Sequence, residues 1–223
     1  RRVLDGHYPE IGMPGLDFVY DTHGPEAARA YYDATLLGLG QIGAFVGQHG
    51  VDCDFEQNGS LELATEQAHV DAFGEQKRRF DAMGVETSIL DGAALRKAVH
   101  SDRFVGALRL PGPAILNPAK LALGMRTEFA ELEAPQGVVT LNGYAPQLGL
   151  FRDRVLPLTN YVVATEPLSA AQWDAIGWAG REGLSDARVQ FMYLRRSADG
   201  RIVFGGESSP YFYDSTPSTG NYR

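Results

Sequence analysis

The chain has 223 residues, 44% of them hydrophobic and 22% charged, a length that can bury the core of one domain or of one large and one partial domain. Its 28 acidic residues outnumber its 20 lysines and arginines. The resulting formal net charge of -8 argues against nucleic acid or an anionic membrane as the main partner. No apolar run approaches the ~18 residues that a membrane-spanning helix needs. Cys53 is the one cysteine, which excludes an internal disulfide and indicates a core residue in a reducing, cytoplasmic protein.

Residues 25–50 carry the first regular pattern, in which apolar side chains recur at helical spacing. A proline in the first turn and a glycine after the last turn are typical helix boundaries, so the pattern predicts one long helix. Within it Gly40, Gly43 and Gly47 lie along one stripe, and each glycine costs about 1 kcal/mol relative to alanine. We therefore expect a neighbouring backbone to pack closely against this stripe.

The same segment contains the motif G-x-G-x-x-G at residues 38–43, which binds the pyrophosphate of a dinucleotide when a strand precedes it and a helix follows. Residues 26–34 are helix formers, which argues against that setting. In its favour, residues 51–55 could form the next strand, with Glu56 near its end as the ribose acceptor. The sequence leaves both interpretations open.

Residues 60–125 alternate between strand and helix periods. Asp91 is a typical N-cap, and Asn117 followed by proline opens another helix. The pattern predicts strands at 60–64, 85–90 and 104–110, and helices at 66–83, 91–99 and 117–125.

The segment that follows is less regular. Residues 126–135 and 138–141 are strand-compatible, the pair Asn142-Gly143 is typical of a turn, and residues 155–165 predict a long apolar strand. Ser169 to Gln172 fits a capping box that opens a short helix.

A β-hairpin is predicted where two apolar arms, 188–196 and 201–207, meet at Asp199-Gly200. Side chains alternate along a strand, so Tyr193 and Arg195 share one face of the first arm. Together these elements favour an α+β fold with a largely antiparallel sheet and helices packed on one face.

Four segments in this order resemble the FAD-dependent oxidoreductases of the D-amino-acid oxidase, glycine oxidase and sarcosine oxidase type, and most closely their γ-glutamylputrescine-oxidase-like branch. The segments are NPAKLA at 117–122, LNGYAPQLG at 141–149, LPLTNYVVATEPL at 156–168 and YLRRSADGRIVFGGE at 193–207. The resemblance implies the substrate domain of that fold and places residues 38–43 within a helix of that domain.

The resemblance also implies FAD as the cofactor of the parent protein. Proteins of this family begin with a strand, a G-x-G-x-x-G turn and a helix that hold the ADP half of FAD, and this sequence does not open with such a unit. We therefore expect the chain to start within a longer protein, whose FAD-binding portion is its missing partner. Residues 1–223 are then expected to be one substrate-binding domain, with remnants of the FAD domain near 1–20 and 126–150.

By the same resemblance the hairpin lines the substrate cavity. Tyr193 is the first candidate, since its hydroxyl can bond an amine or a carboxylate, although a core tyrosine fits the pattern as well. Arg195 could pair with a substrate carboxylate, or be a solvated arginine near a turn. Glu207 could hold a substrate ammonium.

Three further residues, Thr140, Asn142 and Gly143, resemble the family stretch that passes near the cofactor. The five histidines show no ligand spacing, so no metal site is predicted.

Two functions remain open from the sequence. In the first, the chain is the substrate-recognising part of an FAD-dependent amine or amino-acid oxidoreductase that oxidises a C–N bond by hydride transfer to the flavin, and is inactive alone. In the second, it is a non-catalytic isolated or engineered domain that at most binds a small ligand.

Overall fold

A computed structural model describes residues 16–126, 142–150, 152–154, 161–188 and 191–206. The helices are α1 (Leu16–His49), α2 (Gln67–Ala82), α3 (Gly92–Ala98), α4 (Pro118–Arg126) and α5 (Ala170–Ile176), with a 3-10 helix at Asn142–Leu148. The strands are β1 (Ser60–Ala64), β2 (Ser88–Asp91), β3 (Gly106–Leu110), β4 (Tyr161–Ala164), β5 (Gly183–Asp186), β6 (Met192–Arg196) and β7 (Ile202–Gly206). No helix in these ranges is both long and apolar enough to cross a membrane.

The described strands form one sheet in the order β2-β3-β1-β5-β6-β7-β4. Every neighbouring pair is antiparallel except β1 with β5, which run parallel. The predicted α+β class and largely antiparallel sheet are therefore confirmed.

Helices lie on both faces of the sheet rather than on one. Ala64 and Leu108 pack with Phe73 of α2, whereas Leu63 and Ala107 pack in a second cluster with residues of α3 and α5. Adjacent strand residues point to opposite faces, so α1 and α2 cover one face and α3 and α5 the other. Two apolar cores thus sandwich the β2-β3-β1 half of the sheet.

The predicted hairpin is confirmed. β6 and β7 pair antiparallel, with Tyr193 opposite Gly205 and Arg195 opposite Val203. Gly200 adopts a φ of +79°, which glycine tolerates at a tight turn. Ser197 completes the turn, because its backbone N–H donates to the Arg201 carbonyl at 2.9 Å and its hydroxyl accepts from the Arg201 N–H at 2.9 Å.

The long helix is confirmed, but it begins earlier, at Leu16, with a break at Gly24 (φ 85°, ψ 174°) just before the predicted start. The expected close backbone packing of its glycines is wrong. Within the described ranges, a Cβ added at Gly40 or Gly47 would meet no atom within 4 Å, and one at Gly43 would meet the Phe55 ring at 3.2 Å. Of the described residues, the stripe therefore contacts one side chain and no backbone.

The dinucleotide interpretation of residues 38–43 is also wrong, because the residues before and after this motif belong to the same helix. The interior N–H groups of a helix bond to carbonyls four residues back and are not presented to a phosphate. The glycine motif is thus part of a helix.

Most remaining elements fall close to their predicted positions. Asp91 caps α3 by accepting the Ala94 N–H at 2.7 Å, and Ser169 and Gln172 form the predicted capping box. The strand predicted at 85–90 is shorter and shifted, and the pair Asn142-Gly143 opens a 3-10 helix instead of a turn. Residues 127–135, 138–141 and 155–160 lie outside the described ranges.

One strand was not predicted. β5 has four residues, Gly-Leu-Ser-Asp, in a glycine-rich stretch without apolar periodicity. It lies in the middle of the sheet between β1 and β6, and it carries the one parallel pairing.

Candidate functional site

The sheet carries a row of aligned residues across β1, β5, β6 and β7. Glu62 is opposite Ser185, Ser185 is opposite Tyr193, and Tyr193 is opposite Gly205. Residues aligned across a sheet point to the same face, so these four positions share one surface, which we call the Tyr193 face. Of the described helices on this face, α2 packs over β1, β2 and β3, beside the β5-β6-β7 portion, and α1 packs against α2 in the same apolar cluster.

Tyr193 lies flat against the neighbouring strand. A Cβ added at Gly205 would overlap the ring and the hydroxyl of Tyr193, so the missing side chain of Gly205 is what lets the ring lie there. The Phe191 ring follows along the strand, with its centroid 6.2 Å from that of Tyr193. The half-buried tyrosine is thus held by packing while it stays partly exposed.

Arg195 is two residues further along β6 and points to the same face, opposite Val203. It is half-buried. The sequence prediction that Tyr193 and Arg195 share a surface therefore agrees with the strand register, and a phenol and a guanidinium lie side by side on it.

Small residues occupy β5 beside this pair. Ser185 and Gly183 point to the Tyr193 face, and the side chain of Ile115 approaches the position above Gly183, where an added Cβ would lie 3.4 Å from its Cγ2. Side-chain volume is therefore low on the strand next to Tyr193 and Arg195, with one apolar side chain over its first residue.

The loop from β5 to β6 is anchored by Asp186. The buried Asp186 carboxylate forms an ion pair with Arg188, whose Nε donates at 2.8 Å, and it accepts the Met192 N–H at 3.2 Å. The hydrogen bond to Asp186 raises the pKa of the Arg188 guanidinium above its ordinary value. These bonds fix where β6 begins, and hence the register of Tyr193.

The loop before β5 is held from the other side. Trp178 and Arg181 both have left-handed φ values, 58° and 54°. The buried Trp178 ring donates its N–H to the Glu182 carbonyl at 2.9 Å, and Arg181 forms a bidentate ion pair with Glu56 at 2.6 and 2.8 Å. Such backbone conformations persist only where the surroundings hold them.

The described part of the structure does not place the other predicted site residues on the Tyr193 face. Thr140 and Glu207 lie outside the described ranges, and Asn142 and Gly143 are the first residues of the 3-10 helix. Their proposed roles stay predictions.

Sequence reasoning missed Glu62 and Ser185. The alternation in Ser60–Ala64 sets the face of Glu62 relative to its neighbours, but only the pairing of β1 with β5 places it in the row of Tyr193. Ser185 belongs to the strand that was not predicted. Among the described residues no group of three or more His, Cys, Asp or Glu side chains could hold a metal ion.

The fold and this surface can now be compared with known proteins. A family model described as "FAD dependent oxidoreductase" matches residues 13–136, more than half of the chain. The chain belongs to this family. The cofactor of this family is FAD.

Relatives agree with this assignment. Gamma-glutamylputrescine oxidoreductase of Escherichia coli is 24% identical over 225 residues, which cover 86% of this chain and 52% of that protein. The crystal structure of glycine oxidase from Bacillus cereus matches with a TM-score of 0.57 and 16% identity over 86% of this chain and 58% of that one. L-proline dehydrogenase from P. horikoshii matches with a TM-score of 0.58 and 15% identity over 87% and 59%. The chain spans about half the length of the curated relatives it matches.

The described residues do not fit the pyrophosphate half of FAD. That group needs backbone N–H groups at a strand-to-helix turn, and the one G-x-G-x-x-G motif is inside α1.

Proposed function

We propose that this chain is the substrate-recognising part of an FAD-dependent amine or amino-acid oxidoreductase. In the proposed reaction a C–N bond is oxidised by hydride transfer to the flavin. The observation that carries the proposal is the pair Tyr193 and Arg195 on one face of the sheet in a member of this family. The activities for which two relatives are named, gamma-glutamylputrescine oxidoreductase and glycine oxidase, support an amine or amino acid as substrate.

Arg195 is proposed to bind a substrate carboxylate. A guanidinium can donate two parallel hydrogen bonds to a carboxylate, which fixes both the position and the orientation of the ligand. Its half-buried setting limits competition from water, so the pair is worth more than an exposed one.

Tyr193 is proposed to orient the same ligand. Its ring is held against Gly205, so the direction of its hydroxyl is restricted before a ligand arrives. A preoriented hydroxyl that accepts from an amine or donates to a carboxylate selects one pose of the substrate.

The flavin supplies the chemistry that these residues lack, since it accepts the hydride and no protein nucleophile is required. The chain's own part is then to bind the substrate, to orient it and to limit the size of the cavity. A single cysteine cannot form an internal disulfide, which is typical of proteins of a reducing compartment, so a cytoplasmic location stays a prediction.

A second candidate function is binding of a small ligand without catalysis by this chain alone. It is favoured by the helical setting of residues 38–43, which leaves the described residues without a pyrophosphate site.

Flavin absorbance distinguishes the proposed oxidoreductase function from ligand binding without catalysis. We expect the purified protein, in a form that takes up FAD, to lose its oxidised-flavin absorbance when an amine or amino acid is added without oxygen. Bound flavin that no amine or amino acid reduces would overturn the proposed reaction. A chain that never takes up FAD while still binding small carboxylates would establish the second candidate for that chain.

A further inference from the structure

A cavity that the proposed function does not use lies beside α3, the helix on the face of the sheet opposite to Tyr193. Its volume is about 310 Å³, at the lower end of the range for sites that bind small molecules. The residues that line it are Arg96 of α3 and, in the segment that leads from α3 to β3, His100, Ser101 and Asp102. All four side chains are polar or charged, so the cavity suits a hydrophilic ligand.

The backbone around this cavity is anchored to the end of α5. The His100 N–H donates to the Ile176 carbonyl at 2.8 Å. The Trp178 N–H donates to the Ala98 carbonyl, at the end of α3, at 2.6 Å. The His100 ring lies against Gly177, where an added Cβ would be 2.9 Å from its Cδ2 atom. The end of α3 and the His100 ring are therefore held in place before a ligand binds.

Three of the lining side chains present hydrogen-bond donors to a ligand. Arg96 extends back along α3, with Nη1 3.2 Å from the position of a Cβ added at Gly92, and it forms the helix side of the cavity. Within the described ranges, neither its guanidinium nor the His100 imidazole, which has at least one N–H group, forms a hydrogen bond or an ion pair. The Ser101 hydroxyl oxygen accepts the Arg103 N–H at 3.2 Å, which leaves its own proton to donate.

Asp102 supplies the opposite chemistry, a carboxylate that accepts hydrogen bonds. It lines the same cavity as Arg96, yet the two charges form no ion pair, and Asp102 has no other hydrogen-bonding partner among the described residues. A ligand between them can therefore contact both. Residues 96–103 carry three lysine or arginine side chains and one carboxylate in a chain with a net charge of -8, so the charge around the cavity is locally positive. The cavity thus favours an anion that also has a hydrogen-bond donor.

We propose that this cavity binds hydrogen phosphate, at a site separate from the face that is proposed to bind the substrate. The three donors bind the unprotonated oxygens of the anion, and Asp102 accepts a hydrogen bond from its P–OH group. A carboxylate repels an anion that has no proton to donate, so the same residue rejects sulfate. Asp102 therefore makes the site selective for a protonated oxyanion, and the proposal does not depend on the roles of Tyr193 and Arg195.

Three anions of equal charge test the proposal on the 223-residue chain. At about pH 8 hydrogen phosphate, sulfate and methyl phosphate each carry close to two negative charges, and only hydrogen phosphate keeps a hydroxyl group. In calorimetric titrations at matched ionic strength we expect phosphate to bind about 3- to 30-fold more tightly than the other two anions, as one partly exposed charged hydrogen bond allows. Equal binding of phosphate and sulfate overturns the proposal. Methyl phosphate that binds as tightly as phosphate overturns the free ion as the ligand in favour of a phosphorylated molecule.

Variants at three exposed positions assign the binding to this cavity. Asp102→Asn is expected to bring the affinity for sulfate to within a factor of about two of that for phosphate, because the repulsion and the acceptor are both weakened. Arg96→Gln is expected to weaken the binding of phosphate by about tenfold. Lys97→Gln is the matched control, since it removes a positive charge from the next residue of α3, which does not line the cavity, and it should change the affinity by a factor of about two at most.

Three results would overturn the site, each in variants whose circular dichroism spectrum is unaltered. The first is an unchanged preference for phosphate in Asp102→Asn. The second is an equal loss of affinity in Arg96→Gln and Lys97→Gln, which would mean that phosphate responds to the general charge of the surface. The third is a wild-type chain that binds no phosphate at tens of millimolar.

Discussion

Arg181 and Glu56 are 125 residues apart in sequence and form a bidentate ion pair, with Nη2 2.6 Å from Oε1 and Nε 2.8 Å from Oε2. The pair joins the segment before β1 to the loop before β5, and Asn58 adds a third bond to the same carboxylate at 2.8 Å. Because β1 and β5 form the parallel pairing and both contribute residues to the Tyr193 face, this contact stabilises the strands that carry the candidate site.

Substitutions at Arg181 are expected to reveal its left-handed backbone. Both Arg181→Gly and Arg181→Ala lose the ion pair, but glycine accepts a φ of 54° without a steric cost. Arg181→Gly should therefore be more stable than Arg181→Ala by about 0.5–1 kcal/mol in urea unfolding. At Arg78, inside α2, the order should reverse by about 1 kcal/mol. The same order at both positions would contradict the assigned backbone conformation.

Gly205→Ala is expected to destabilise the protein, because the new Cβ would overlap the Tyr193 ring. Overpacking of this kind typically costs about 1–3 kcal/mol. In a Tyr193→Ala background the ring is absent, so Gly205→Ala should lower the free energy of unfolding by much less. Gly183→Ala is the control, since its Cβ would make an ordinary 3.4 Å contact with Ile115. Equal costs of Gly205→Ala in both backgrounds, measured by urea unfolding, would show that the ring lies elsewhere.

Local signals in the sequence were sufficient for much of the fold. Asp91, Ser169 and Asp199-Gly200 act within a few residues of their own position, through capping and turn geometry, and each lies where it was predicted. The helix through residues 38–43 was likewise correct, because its apolar period extends over many turns.

Non-local pairing accounts for what was not predicted. β5 has no periodicity of its own and is a strand because β1 and β6 bond to it on either side. Without β5 the row from Glu62 to Tyr193 cannot be assembled, so two of its members were missed. The placement of helices on both faces also depends on which strands pair, which no capping residue encodes.

Glycines on the open part of α1 are expected to be replaceable. Gly40→Ala should stabilise the protein by up to about 1 kcal/mol, because helix propensity improves and no atom of the described residues lies within 4 Å of the new methyl group. Gly43→Ala should gain less or lose stability, since its methyl would approach the Phe55 ring at 3.2 Å. Thermal unfolding of the two variants compares them directly. A destabilising Gly40→Ala would indicate that something covers this stripe.

Asp199 is expected to make stability depend on acid pH. A hydrogen bond from Ser197 and then the Arg201 guanidinium, 2.7 Å away, hold the pKa of this carboxyl below its ordinary value. The pKa of Asp199 is lower in the folded protein than in the unfolded chain, where it is about 3.9, so the ionised carboxylate stabilises the fold at pH values above about 3.9. This contribution is lost as the pH falls through the folded pKa. The stability difference between wild type and Asp199→Asn should therefore be largest near neutral pH and shrink below pH ~4. Urea unfolding at a series of pH values measures it, and a difference that grows on acidification would contradict the assignment.

Tyr193→Phe is the most direct test of the proposed site. The ring and its packing on Gly205 are retained, so only the hydroxyl is lost. A hydrogen bond lost in a partly desolvated site is worth about 0.5–3 kcal/mol, so kcat/KM for amine oxidation by the flavin-loaded protein should fall by a few-fold to about a hundredfold. Flavin absorbance should not change, because Tyr193 is assigned to the substrate and not to the cofactor. Tyr31→Phe, on α1 against the α2 core, is the matched control and should leave kcat/KM within a factor of about two. Equal kinetics for the two variants would remove the Tyr193 hydroxyl from substrate recognition.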